Sequence, residues 1–189
     1  MLRTLLSIAL CLFTLMQGVP AMAADYIERV DPVLNNGQLY IDADIEFELS
    51  PELRDAAQKG LPLYLTVDLN ISHSRWWWFD KTIASTELTW RIQYNALTRQ
   101  WRVGTGTLSL PASTLDEALA LVRHVRGWDV AAASDLAADT QYSGRMRMRL
   151  DTSRLARPFQ VDALNSAAWS LTTPWKNFTF SISDVDSQP

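Results

Sequence analysis

From Leu39 to Leu49 apolar residues take every second position, Leu39, Ile41, Ala43, Ile45, Phe47 and Leu49, while Tyr40, Asp42, Asp44, Glu46 and Glu48 fill the places between. A period of two held over this length dictates a strand with one face in a core and the other in water. Asn36-Gly37 just upstream is a hairpin turn pair, so Tyr26 to Leu34 is expected to form the partner strand, with Pro32 confining it to a sheet edge. The same alternation recurs in Leu61–Ile71, with Leu63, Leu65, Val67, Leu69 and Ile71 inward, and in Ile83–Tyr94, with Leu88, Trp90, Ile92 and Tyr94 inward. In Tyr142–Leu150 it sets Met146, Met148 and Leu150 inside and Arg145, Arg147 and Arg149 outside.

Shorter strands are expected from Gln100 to about Thr107, after a tight connection at Asn95–Thr98, and from Asn177 to Ile182. Two helices interrupt the strands. Ser50 caps Pro51, and Glu52–Lys59 runs to a stop at Gly60. Thr114 and Glu117 form a capping box, after which Leu115, Ala118, Leu119, Val122 and Val125 recur at helical spacing as far as Gly127. Asp151–Pro158 reads as turns, with Asp151 and Ser153 capping them, and a short mixed segment continues to Asn165. One-faced strands joined by short connections favour a mainly β fold, an antiparallel β-sandwich with two short flanking helices, ahead of a partly open barrel.

The first 23 residues follow another logic. Arg3 supplies positive charge, Leu5–Leu15 is an apolar run, and Ala21-Met22-Ala23 is a small-x-small site, the order of a secretory signal peptide cleaved after Ala23. That run falls short of the ~20 residues a membrane-crossing helix needs, so no transmembrane anchor is expected after cleavage. The reading is a signal peptide over 1–23 and one domain over 24–189 that works in the periplasm. Cys11, the only cysteine, sits inside the leader behind Leu10, where a lipoprotein site wants a small residue. The mature chain therefore has no disulfide, no cysteine-ligated metal and no cysteine nucleophile. The net charge of −4 becomes one unit more negative once Arg3 is removed, which disfavours nucleic acid as a partner.

No serine sits in a nucleophile elbow, no glycine-rich loop cradles a phosphate, and His73 and His124 lack metal-ligand spacing. No catalytic residue, metal or cofactor is assigned, and enzyme activity is the minor hypothesis. The candidate binding residues are Trp76, Trp77, Trp78 and Phe79 with Arg75 beside them. On a strand these four aromatics cannot all face one core, so one pair is available to a partner, unless a second layer covers it. The stripe Asp42, Asp44, Glu46 and Glu48 is read as a solvated face answered by basic residues of a neighbouring strand. Arg91, Arg145, Arg147 and Arg149 are the candidates for that neighbour, and the Asp42 strand is expected to share a sheet with the Arg147 strand.

Four segments, Trp78-Phe79-Asp80, Tyr94–Gln100, Leu150–Ser153 and Pro158–Leu164 with Trp169 behind them, resemble an uncharacterised family of exported proteobacterial proteins catalogued only as a domain of unknown function. The resemblance covers nearly the whole mature chain and carries no known activity. It implies an accessory role at the cell envelope, since members are often encoded beside a membrane sensor kinase of the nitrogen-regulation type. The leading expectation is a non-enzymatic module that binds an envelope or inner-membrane protein. The alternatives are an aromatic-lined pocket for a glycan or apolar molecule and, behind that, an envelope hydrolase.

Overall fold

The computed structural model describes residues 25–75, 78–137 and 140–182. Strands β1 (Tyr26–Asn35) and β2 (Gln38–Glu46) form the expected hairpin. Asn36 and Gly37 both adopt positive φ, 50° and 75°, which gives the two-residue turn the twist of its strands. Helix α1 (Pro51–Gln58) follows, its first turn closed by the Ser50 hydroxyl accepting from the Leu53 amide. A long hairpin, β3 (Leu63–Arg75) and β4 (Trp78–Asn95), leads through a turn in which the Asn95 side chain accepts from the amides of Leu97 and Thr98. After it come β5 (Gln100–Thr105), β6 (Leu108–Ala112), α2 (Leu115–Arg123), β7 (His124–Ala132), β8 (Gln141–Leu150), α3 (Arg157–Asn165) and β9 (Lys176–Ser181).

All strand pairings are antiparallel and form two sheets, one ordered β1-β2-β7 and one ordered β6-β5-β4-β3-β8-β9. They face each other as a sandwich. The small sheet contributes Ile27, Leu39, Ile41, Ala43, Ile45, Val125 and Trp128, and the large one the inward row of β3 with Trp90, Ile92, Tyr142, Met146 and Met148. Pro32 lies on edge strand β1, where its missing amide costs no ladder bond.

Six strands cannot be covered by three. At 4.7–4.9 Å between neighbours, the outer strands of the large sheet lie about 24 Å apart and those of the small sheet about 10 Å. The small sheet settles with β1 against β8 and β9 and with β7 against β4, so β5 and β6 project beyond it. Helix α2 packs on part of this overhang through Leu115, Ala118, Leu119 and Val122.

Four expectations are corrected. The capped helix stops at Arg123 rather than Gly127, because Arg123 donates to the Phe47 carbonyl at 2.8 Å and His124 onward pairs with β2. Val125 suits a helix face and a strand face equally, and the open edge of β2 decides. Strand β6 falls where no element was expected. A third helix, α3, occupies the segment read as mixed, with Pro158 in its first turn, so three helices stand among the described residues instead of two. The Asp42 strand and the Arg147 strand belong to different sheets.

Candidate functional site

Each charged stripe finds its partners inside its own sheet. Asp44 on β2 accepts from Arg29 on β1 at 2.7 Å and from His124 and Arg126 on β7 at 2.9 and 2.5 Å. The hydrogen bonds from His124, then Arg126, then Arg29 hold its carboxyl far below the usual range. Asp42 accepts from the Gly127 amide at 2.7 Å, so the acidic stripe ties the three strands of the small sheet together. On the large sheet Asp68 of β3 takes Arg147 at 2.8 Å and Arg149 at 3.0 Å, and Arg145 and Arg147 lie 4.9 and 4.5 Å from the Trp175 ring centre. Asp151 caps its turn as expected, accepting from the amide and hydroxyl of Ser153. Burial raises its pKa, and the bonds from Ser153 and Arg154 with the charge of Arg149 outweigh that and hold it low.

Trp76 and Trp77 lie outside the described residues, as do the side chains of Arg75, Trp78 and Phe79. The backbones of Arg75 and Trp78 pair across the end of the β3–β4 hairpin. His73 packs against the Tyr142 ring at 5.9 Å, and His124 serves Asp44. Among the described residues no three His, Cys, Asp or Glu side chains are placed to hold a metal. None of the helices there is long and apolar enough to cross a membrane.

The site that the fold itself builds is the uncovered part of the overhang. Leu110 stands on the inner face of β6 across from Val103 of β5, and Leu108, two residues earlier, lines the same space. The small sheet leaves them open, and they are 41% and 57% exposed. Leu121 on the open flank of α2, 37% exposed, forms a second wall. The floor is Trp90 and Trp128, and together these residues bound an open, mainly apolar groove of about 480 Å³. His124, Arg126 and Asp129 stand on its rim. The alternation Leu108, Leu110, Ala112 is the sequence signal for this wall, masked by Pro111 beside it.

Both strand edges at the groove are blunted. Pro111 removes a donor from β6, and β7 carries an irregularity opposite Asp42 where Gly127 adopts φ 61°. Addition of a further strand is therefore disfavoured, whereas insertion of apolar side chains is not.

A family model described as a domain of unknown function (DUF4390) matches residues 26–179. No curated protein and no solved structure matches the chain.

Proposed function

This chain belongs to the DUF4390 family, and we propose that it works as an exported, non-enzymatic binding module of the cell envelope. Its groove takes the apolar face of an amphipathic helix from an envelope or inner-membrane protein. The observation that carries this reading is the uncovered apolar overhang, with Leu108, Leu110 and Leu121 exposed around Trp90 and Trp128. A soluble domain that leaves such residues together in a concavity has them available to a partner.

Two features favour a helix. The blunted edges of β6 and β7 disfavour an added strand. Helix α2 already covers the neighbouring part of the same overhang, so a second helix beside it would continue an existing packing layer, with Leu121 as the contact between them.

The test is a photo-crosslinking residue placed at Leu110 in living cells, beside a control at Leu97, which is exposed on the β4–β5 turn. An adduct at Leu110 alone, mapped by mass spectrometry to an amphipathic segment of a membrane or envelope protein, supports the reading. No adduct, or equal adducts at both positions, contradicts it. Export is tested separately: the periplasmic fraction should yield a chain that begins at Ala24.

A further inference from the structure

The other face of the same strands carries a second hollow, of about 780 Å³, over the solvent side of β4, β5 and β6. It has the opposite chemistry. Arg91 on β4 stands across from Gly104 on β5, and Arg102 on β5 across from Gln93 on β4, which makes the two guanidinium side chains diagonal neighbours about 7–8 Å apart at their roots. Gly104 has no side chain to fill the space beside Arg91.

Charge balance sets this pair apart. Arg147 and Arg149 on the same sheet face are answered by Asp68, whereas Arg91 bonds only the Gln93 side chain and Arg102 has no acid partner among the described residues. Their cross-strand neighbours Tyr64, Gly104, Gln93 and Pro111 are all neutral. Glu87, the one carboxylate in the lining, is held by Arg149 at 3.3 Å, and Arg154 adds a third guanidinium at the far side while bonding Asp151. Two uncompensated arginines on adjacent strands repel each other in a chain whose net charge is −4. A bound anion removes that repulsion, and the guanidinium fork matches carboxylate and phosphate oxygens. Around the pair the lining is rich in hydroxyls, from Tyr64, Thr89, Thr107 and Ser109 among others.

We propose that this outer hollow binds an acidic saccharide, with its carboxylate or phosphate on Arg91 and Arg102 and its hydroxyls on the surrounding Thr, Ser and Tyr side chains. The hollow adjoins the apolar groove, Leu88, Thr105 and Leu108 lining both, while Arg91 and Arg102 line the hollow and not the groove. It is tested by calorimetric titration of the protein with a galacturonate trimer and with a hexose phosphate, beside neutral maltotriose and inorganic phosphate. Arg91→Gln and Arg102→Gln are compared with Arg99→Gln, an exposed arginine on the β4–β5 turn, and circular dichroism checks that each variant folds.

At least one acidic sugar should bind about tenfold or more tightly than maltotriose, and either hollow variant should remove that margin while Arg99→Gln keeps it. The proposal is overturned if acidic and neutral sugars bind alike, if neither acidic sugar binds at millimolar concentration, or if Arg99→Gln weakens binding as much as the other two. Binding of inorganic phosphate as tight as that of the hexose phosphate also overturns it, by reducing the hollow to a simple anion site.

Discussion

The two ends of the large sheet are built from similar strands and differ in what lies over them. At the β8–β9 end Tyr142, Met146 and Phe180 are buried, Tyr142 and Phe180 stack at 5.4 Å, and β1 lies against both strands. At the β5–β6 end Val103 is buried while Leu108 and Leu110 next to it are open. Residue chemistry is the same at both ends. Exposure is decided by how many strands the opposite sheet supplies, and the place where it runs out is where the proposed binding surface lies.

If that contrast is right, the closed end should be intolerant and the open end permissive. Tyr142→Ala removes a ring that is 1% exposed and whose hydroxyl accepts from the Ala137 amide at 2.7 Å, and it should cost about 3–5 kcal/mol in urea denaturation. Gly144→Val comes next. A Cβ at this position on β8 would fall 2.1 Å from the Phe178 ring, so Phe178 must leave its place over the glycine, at a cost of about 1–3 kcal/mol.

Asp44→Asn probes the small sheet that does the covering. It should cost on the order of 1–2 kcal/mol at neutral pH, because Arg29, Arg126 and His124, all partially exposed, lose their shared carboxylate. The sign with pH follows from a pKa depressed in the folded state. The carboxylate's contribution is complete above its ordinary value of 3.8 and is lost as pH falls below that toward the folded-state pKa. Denaturation curves of wild type and Asp44→Asn should therefore converge in acid. The smallest effect is expected at the open end, where Leu110→Asp should change the denaturation free energy by no more than about 0.5 kcal/mol.

Much of this contrast was legible in the chain and part was not. Alternation placed the inward rows of β2, β3, β4 and β8, and Asn36-Gly37 and Pro32 placed the first hairpin and its edge, because these are local signals. The end of α2 was not legible, since Val125 fits either period and only the edge of β2 chooses. Strand β6 hides behind Pro111. The charge stripes illustrate the limit most clearly. Opposite charges do meet across neighbouring strands, yet Asp44 is answered by Arg29, His124 and Arg126, and Arg147 by Asp68. Which strands become neighbours depends on sheet membership, a long-range outcome that no single stripe encodes. For the same reason Trp90 could be read as inward, while the six-to-three mismatch that exposes its surroundings could not. Of the Trp76–Phe79 run, the leading candidate in the sequence, Trp78 opens β4 across from Arg75, far along that strand from the Trp90 that floors the groove.

The most direct test of the account is the yield of photoadduct from a crosslinking residue at Leu121, measured in cells with and without Leu110→Asp. The account predicts an adduct to an amphipathic partner segment that disappears with Leu110→Asp while the denaturation midpoint stays where it was. An adduct that persists unchanged in that variant, or is never formed, would contradict the claim that the uncovered end of the sandwich is its binding surface.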